Sequence, residues 1–243
     1  MASPKIVSVE GGIGAGKTTI IEHLEKLYKN DATVQFLREP VSIWESIQDS
    51  NGENILQKFY KDAAKYAFTF QVMAFVTRLS MIRTIVKEHP ECKLIICERS
   101  LDADRNIFAK MLFDDGLIDD IHYTIYLKFY NEYKDDFKLD GIVYINADAE
   151  VCSERIRKRA RGGEESVPLD YLKNCQKYHD DWLDALPERM VLNIKTNEDV
   201  SYNGDQGSVW LKQIQVYVNE ILNTDNTVFD IFEHFMEENG LVC

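Results

Sequence analysis

Residues 5–18 read KIVSVEGGIGAGKT, a short apolar run that leads into a glycine-rich segment ending in lysine and threonine. Residues 11–18 match the pattern G-x-x-x-x-G-K-[S/T], and the apolar spacing of a helix follows at once over residues 17–30. In a strand–loop–helix unit of this kind, glycines let backbone N–H groups face phosphate, and the helix start favours anions. The stretch therefore predicts an α/β fold with a phosphate-binding loop.

Short apolar runs and helical patterns alternate along the rest of the chain. The predicted strands cover residues 5–10, 34–37, 93–97, 141–145 and 190–194, and the predicted helices cover residues 17–30, 63–89, 101–113, 121–137, 149–161, 169–185 and 209–222. Such alternation favours a parallel sheet with helices on both faces. We therefore predict a P-loop NTPase-like fold with five parallel strands, in one domain over residues 1–222. Residues 223–243 form a polar, acidic tail to which the sequence assigns no role.

Composition limits the partners of the chain. Its 243 residues carry a formal net charge of −13, and an acidic surface repels the phosphate backbone of nucleic acid. No apolar run approaches the roughly 20 residues that span a bilayer, and no secretory or transit signal is visible. The five cysteines are scattered, without a C-x-x-C pair, which is typical of reduced thiols. We predict a cytoplasmic protein that binds neither nucleic acid nor membrane.

The glycine-rich segment predicts an ATP site. Lys17 is expected to bridge the β- and γ-phosphates, and Thr18 to bind Mg²⁺ through its hydroxyl group. The ATP-binding residues predicted here are Gly11, Gly12, Ile13, Gly14, Ala15, Gly16, Lys17, Thr18 and Thr19. The alternative, a glycine turn without a ligand, is disfavoured by the complete spacing between strand and helix. No N-K-x-D segment follows a late strand, which argues against a GTPase and in favour of a kinase.

Charged residues follow the second and third predicted strands, where an open α/β sheet binds its ligands. Glu39 can accept the proton of an acceptor hydroxyl group and align its oxygen. Glu98 can hold Mg²⁺ directly or through water, and Arg99 can stabilise the transferring phosphoryl group. The alternatives are a surface glutamate before a turn and a structural Glu–Arg ion pair.

Two polar residues share one face of the long helix predicted over residues 63–89. Gln71 and Arg78 are seven residues apart, and Phe70 lies beside them on an otherwise apolar helix. An amide, a guanidinium group and an aromatic face suit the edge and the plane of a nucleobase. A polar stripe that faces solvent explains the same spacing equally well.

A basic segment precedes a pair of glycines near residue 160. Arg155 and Arg159 are four residues apart on a helix, Arg161 follows, and residues 162–165 read GGEE. A basic helix that runs into a glycine hinge predicts a lid, at about residues 155–167, that closes over phosphates and excludes water. The alternative is a solvated basic face.

Together these segments resemble the deoxynucleoside kinase family, in its deoxycytidine/deoxyguanosine/deoxyadenosine kinase branch. The likeness covers roughly residues 5–222. It rests on GGIGAGKT (11–18), EPV…W (39–44), NILQKFY (54–60), FTFQ (68–71), ERSLDADR (98–105), RIRKRAR…EE (155–165) and NED (197–199). The resemblance implies an ATP-dependent phosphotransferase that acts on the 5′-hydroxyl group of a deoxynucleoside in nucleotide salvage, with Mg²⁺.

The resemblance also implies roles for individual residues. Glu39 would be the catalytic base, with Arg99 and Lys17 as the other catalytic residues. The substrate-binding residues would be Glu39, Trp44, Leu56, Tyr60, Phe70, Gln71, Arg78, Arg99, Asp104, Phe108 and Glu165, among which Tyr60 and Glu165 hold the sugar 3′-hydroxyl group and Gln71 reads the base. The lid would supply Arg155, Arg159 and Arg161, and Asp199 would lie in the loop beside the donor adenine, where Val200 replaces the aromatic residue of some members.

Two further features follow from the resemblance. Members that carry an arginine and an aspartate at the positions of Arg78 and Asp104 phosphorylate cytosine and purine deoxynucleosides in preference to thymidine, and a linked pair would crowd a thymine methyl group. Members of the family usually form homodimers through two helices. The apolar sides of residues 63–89 and 121–137 are the candidates, although the same sides can be intramolecular core.

Two other functions would use some of the same motifs. A nucleoside monophosphate kinase of the thymidylate type also has a phosphate loop and an arginine lid, but a carboxylate at the acceptor oxygen would repel a nucleotide. A nucleotide-binding regulator without turnover would share the same motifs.

Overall fold

The computed structural model describes residues 3–159, 167–202 and 206–224. Five parallel strands form one sheet in the order β2-β3-β1-β4-β5. The strands are β1 (Lys5–Glu10), β2 (Val34–Leu37), β3 (Leu94–Glu98), β4 (Gly141–Asn146) and β5 (Val191–Lys195). Helices flank the sheet, which confirms the predicted fold class. The strand bounds agree with the predictions to within one residue.

Ten helices accompany the sheet in the described part of the chain. They are α1 (Lys17–Leu27), α2 (Val41–Ser46), α3 (Ile55–Lys61), α4 (Ala63–Glu88), α5 (Leu101–Ala103), α6 (Lys110–Asp114), α7 (Asp120–Tyr133), α8 (Ala149–Arg159), α9 (Leu169–Asp184) and α10 (Gln206–Asn223). A π-helical segment, Asp104–Ala109, joins α5 to α6, and a 3₁₀ turn, Glu188–Met190, precedes β5. The single helix predicted over residues 101–113 is thus three segments.

The sequence patterns missed two short helices that border the site. α3 begins at a reciprocal cap, in which the Asn54 side chain accepts from the Gln57 N–H at 2.9 Å and the Gln57 side chain accepts from the Asn54 N–H at 2.9 Å. This cap satisfies two backbone donors that a helix start otherwise leaves unpaired. α2 begins directly after Pro40 and buries Trp44. Both helices are too short for an apolar period to be evident in the sequence.

The sheet is buried on both faces. Along β3, Leu94 and Ile96 pack into the apolar cluster that contains α1 and α10, whereas Ile95 and Cys97 pack into the cluster that contains α4 and α7. Alternate side chains of a strand point to opposite faces, so a strand covered on both sides is apolar throughout. All five carboxyl ends lie at one edge of the sheet, where the polar residues of the predicted site follow them.

The predicted lid and tail fall largely outside the described residues. Of the lid, the structure describes residues 155–159 and 167, and of the tail, residues 223–224. Arg161 and Glu165 therefore lie outside the described part, and the division into a domain and a tail stays a prediction. Within the described ranges, no helix has both the length and the apolar character needed to cross a bilayer.

Candidate active site

The phosphate loop, residues 11–18, connects β1 to α1. Gly14, with φ +84°, and Gly16, with φ +104°, have backbone conformations that disfavour other residues. A Cβ atom on Gly14 would lie 2.6 Å from the Cys152 carbonyl oxygen, so the loop packs directly against α8. A Cβ atom on Gly16 would meet nothing within 4 Å. One glycine thus allows close packing, and the other leaves open space at the start of α1.

Lys17 lies at the bottom of this loop. Its Nζ atom donates hydrogen bonds to the carbonyl oxygens of Gly11, at 3.1 Å, and Gly12, at 2.9 Å. Burial, and next the positive charge of Arg99, lower the pKa of Lys17 to about 8. The negative charge of a bound phosphate would favour the protonated form of this buried amine and so raise its pKa again.

Thr18 and Glu98 bring two oxygen atoms together. Glu98 is the last residue of β3, and the Thr18 hydroxyl group, in the first turn of α1, donates to its Oε1 atom at 2.6 Å. Hydroxyl and carboxylate oxygens are ligands for Mg²⁺, which takes few protein ligands and completes its shell with water and phosphate. The described residues contain no group of three His, Cys, Asp or Glu side chains that could hold a metal. The pair fits a magnesium ion carried by a nucleotide better than a metal held by protein alone.

Glu39 is bound by two arginines. Its Oε1 atom accepts from Arg78 Nη2 at 2.9 Å and from Arg99 Nε at 3.2 Å. Burial alone would raise the pKa of Glu39, but the charges of Arg99, Arg78 and Lys17 outweigh burial and lower it to about 2. Glu39 is therefore a carboxylate at any pH near neutral, and 21% of its side chain stays exposed.

Arg99 adopts a left-handed backbone conformation, with φ +69°. Such a conformation costs an ordinary residue on the order of 1–3 kcal/mol and persists where the surroundings hold it. Here the next residue, Ser100, caps α5 through the Ala103 N–H and donates its hydroxyl to Glu10 Oε1 at 2.6 Å. The guanidinium group of Arg99 lies 4.4 Å from the Phe108 ring centroid. The turn thus directs a buried cation into the cavity.

Arg78 and Asp104 form a buried ion pair. Arg78 Nε donates to Asp104 Oδ2 at 2.9 Å, and Arg78 Nη1 donates to the Glu98 carbonyl oxygen at 2.8 Å. The two residues are 1% and 2% exposed, so neither charge is compensated by bulk water. Asp104 begins the π-helical segment, and such segments frequently mark functional sites.

Aromatic residues wall one end of the site. Phe59 stacks on Phe70 with a centroid distance of 4.9 Å, and Trp44 meets Phe70 edge-on at 5.3 Å. The indole N–H of Trp44 donates to Thr77 Oγ1 at 3.1 Å, which fixes the indole plane. The side-chain oxygen of Gln71 is buried without a hydrogen-bond partner among the described residues. An unpaired amide oxygen in a cavity that aromatic rings also line suits a planar polar ligand.

The donor end of the site contains a basic side chain and an exposed loop. Arg155, on α8, donates to Asp199 Oδ1 at 3.2 Å and to the Ala15 carbonyl oxygen at 3.3 Å. It thereby ties the loop after β5 to the phosphate loop. Two residues after Val200, Tyr202 stacks on His23 with a centroid distance of 4.1 Å. An aromatic ring is therefore present in this loop, two residues after the position where some members of the family that the sequence resembles carry one.

A single cavity of about 660 Å³ brings most of the predicted residues together. The predicted residues that line it are Ile13, Gly14, Ala15, Gly16, Lys17, Thr18, Thr19, Glu39, Trp44, Leu56, Tyr60, Phe70, Gln71, Arg78, Glu98, Arg99, Asp104, Phe108, Arg155, Arg159 and Asp199. Gly11 and Gly12 do not line it, but their carbonyl oxygens bind Lys17.

Several lining residues were not predicted. They include Phe59, Lys158, Tyr171, Thr196, Tyr202 and Trp210. Thr196 follows β5 directly, so the rule that ligands lie at strand ends would have found it. Tyr171 faces the cavity from α9, and nothing in the local sequence distinguishes it from the other tyrosines.

Comparison with known proteins agrees with this geometry. A family model described as deoxynucleoside kinase matches residues 7–219. The probable deoxycytidine kinase of Fowlpox virus (strain NVSL) is 34% identical over 227 residues, which cover 89% of each chain. The deoxycytidine kinase of Homo sapiens is 32% identical over 224 residues, covering 80% of this chain and 85% of the relative. The mitochondrial deoxyguanosine kinase of Xenopus laevis is 27% identical over 242 residues, covering 88% and 89%.

The family model spans nearly the whole described chain, and the phosphate loop and the acidic strand ends lie within its bounds. The comparisons lend no support to the thymidylate-type alternative. The chain belongs to the deoxynucleoside kinase family and is a phosphotransferase of that family.

Proposed function

We propose that this kinase transfers the γ-phosphoryl group of ATP to the 5′-hydroxyl group of deoxycytidine or a purine deoxynucleoside. One observation carries the proposal: a phosphate loop and a carboxylate held by two arginines line the same cavity as a buried amide whose oxygen has no hydrogen-bond partner among the described residues. The names of the relatives supply the substrate class, since they are deoxycytidine and deoxyguanosine kinases.

The transfer is a displacement at phosphorus. The 5′-oxygen forms a bond to Pγ, the bond from Pγ to the β,γ-bridging oxygen breaks, and ADP leaves. Glu39 accepts the proton of the 5′-hydroxyl group and aligns its oxygen with Pγ. The products are the 5′-monophosphate, ADP and one proton, which Glu39 releases to solvent through its exposed side.

Cations around Glu39 stabilise the charge that gathers on the phosphoryl oxygens. Lys17 binds the β- and γ-phosphates, and Arg99 donates toward the transferring group. Arg155 and Arg159 line the same cavity from α8 and contact the donor phosphates. Fixed positive groups in a partly buried cavity need no reorganisation during the reaction, which is why they lower its barrier.

Magnesium would be held by Thr18 and Glu98. The Thr18 hydroxyl group and the Glu98 carboxylate already lie within 2.6 Å of each other at the start of α1. When bound, the ion neutralises phosphate charge and fixes the geometry of the triphosphate. Glu98 also accepts from the Glu39 N–H at 3.5 Å, so the two carboxylates are positioned relative to each other.

The base is recognised at the aromatic end of the cavity. Gln71 offers a donor and an acceptor to the edge of a base, and Phe70 offers a stacking face. The Arg78–Asp104 pair occupies the place that a thymine methyl group would need, while its guanidinium group can donate to a base acceptor atom. Tyr60, at the same cavity, binds the sugar 3′-hydroxyl group; its proposed partner Glu165 lies outside the described residues.

The same chain is proposed to form a homodimer through α4 and α7, which pack against each other. Their outer sides expose Val76, Val86, Ile121, Ile125 and Phe129, and Ile121 is 73% exposed. Neighbouring apolar side chains on two helices form the kind of surface that an isologous interface covers.

We also propose a reducing, cytoplasmic compartment, because the four described cysteines are free thiols.

The pH dependence of ATP binding tests the role of Lys17. Since its pKa is about 8, the free enzyme loses this charge as the pH rises through 8, whereas bound phosphates favour the charged form. The Kd of Mg-ATP, measured by calorimetric titration between pH 7 and 9.5, should rise above pH 8 by up to about tenfold per pH unit. Lys17→Arg stays charged and should lose this slope; an equal slope in both proteins would contradict the assignment.

Substitution Glu39→Gln tests the base. The amide keeps the shape and loses the charge, so kcat should fall about 10²-fold or more while KM changes little. Steady-state kinetics with deoxycytidine measure both. The exposed Glu91, which precedes β3, gives the matched control Glu91→Gln, with wild-type kinetics expected. A small change in kcat would reduce Glu39 to a positioning role.

Substitution of Arg78 and Asp104 tests the base specificity. Because Arg78→Met with Asp104→Ala removes both charges together, no unpaired charge is left between them. The ratio of kcat/KM for thymidine to that for deoxycytidine should rise about tenfold or more, which corresponds to about 1.4 kcal/mol. A panel of four deoxynucleosides and thymidylate provides the measurement. An unchanged ratio would refute the proposed role of Arg78 and Asp104 in base specificity. Turnover of thymidylate alone would refute a nucleoside as the acceptor.

Oligomeric state tests the proposed interface. Sedimentation should give twice the chain mass of 28.2 kDa for the wild type. Ile125→Glu with Phe129→Glu should weaken the dimer on the order of 10²-fold or more, because burying an unpaired carboxylate costs several kcal/mol. Val216→Glu changes an equally exposed apolar residue on α10 and should leave the dimer intact. A monomeric wild type would refute the dimer, and equal effects of both changes would place its interface elsewhere.

A further inference from the structure

Arg78 connects the base-recognition end of the cavity to Glu39. Its three nitrogen atoms donate to three different partners: Nε to Asp104 Oδ2, Nη1 to the Glu98 carbonyl oxygen and Nη2 to Glu39 Oε1. The guanidinium carbon lies 5.6 Å from the Trp44 ring, so the group also lies at the aromatic wall. One side chain therefore contacts residues proposed for both base binding and catalysis.

The three contacts of Arg78 differ in how firmly they are held. Asp104 is 2% exposed and Glu98 contributes a backbone atom of β3, so these two partners are fixed by the fold. Glu39 follows the end of β2, and its side chain is 21% exposed to the cavity. The contact with Glu39 is the one that a ligand in the cavity can reach and replace.

The contact with Glu39 also hinders its proposed chemistry. Both arginines donate to the same oxygen, Oε1, at 2.9 Å and 3.2 Å. Two charged donors on one oxygen stabilise the carboxylate anion, so Glu39 is a weaker proton acceptor for a 5′-hydroxyl group while both contacts are made.

We propose that the nucleobase competes with Glu39 for the Nη2 N–H of Arg78, so that recognition of the base releases Glu39 to bind the 5′-hydroxyl group. The inference rests on the proposed function and deepens it. A base that cannot accept a hydrogen bond from Arg78 leaves Glu39 bound to both Arg78 and Arg99. Arg78 therefore determines substrate specificity through kcat as well as through binding. The binding energy of the base is used to prepare the carboxylate for the transition state.

An acceptor supplied in two pieces tests this coupling. The enzyme receives Mg-ATP and 1,2-dideoxyribose, a sugar with the 5′-hydroxyl group and no base, and phosphorylated sugar is measured with and without free cytosine. In the wild type, cytosine should raise the rate at least fivefold. In the variant with Arg78→Met and Asp104→Ala, the rate without cytosine should exceed that of the wild type, and cytosine should not raise it further.

Two outcomes would overturn the proposal: a wild type that cytosine does not stimulate, and a variant that cytosine stimulates equally. The intact nucleoside separates this failure from that of the proposed function. If the wild type phosphorylates neither deoxycytidine nor a purine deoxynucleoside, the function is wrong; if deoxycytidine is phosphorylated while cytosine has no effect in trans, only the coupling is wrong.

Discussion

The pairing of Glu39 with Arg78 and Arg99 is the interaction on which the site depends. Three segments that are distant in the sequence meet at this carboxylate: the end of β2, the middle of α4 and the turn after β3. Buried charges are costly unless each has a partner, so all three segments must be in place for these charges to be compensated. The ion pairs therefore hold the acceptor side of the cavity in place, in addition to any role in chemistry.

The charges of the chain are distributed unevenly. The protein as a whole has a net charge of −13, yet Lys17, Arg78, Arg99 and Arg155 all line one cavity. A negative surface with a local positive cavity favours small anionic ligands that fit inside over long polyanions that must lie across the surface. Glu39 and Glu98 keep this cavity from being uniformly positive, which suits a site that must hold a neutral acceptor next to a charged donor.

Much of the fold was predictable because its signals are local. A continuous apolar run such as residues 93–97 indicates a strand buried on both faces, and the glycine pattern at residues 11–18 gives the first loop. The site was harder to predict. Residues 39 and 78 are far apart in the sequence, and no local pattern shows that their side chains share a hydrogen bond. The short helices α2 and α3 were missed because an end cap and one buried tryptophan determine them.

The π-helical segment has a consequence for how the acceptor cavity can diversify. It contains one more residue per turn than an α-helix would, and it carries Asp104 and Phe108 into the cavity. Because each residue of an α-helix advances the side-chain direction by about 100°, deletion of one residue between them would restore regular winding and change the angle between these two side chains. A one-residue change in chain length at this point would thus reshape the acceptor end of the cavity and leave the phosphate loop intact.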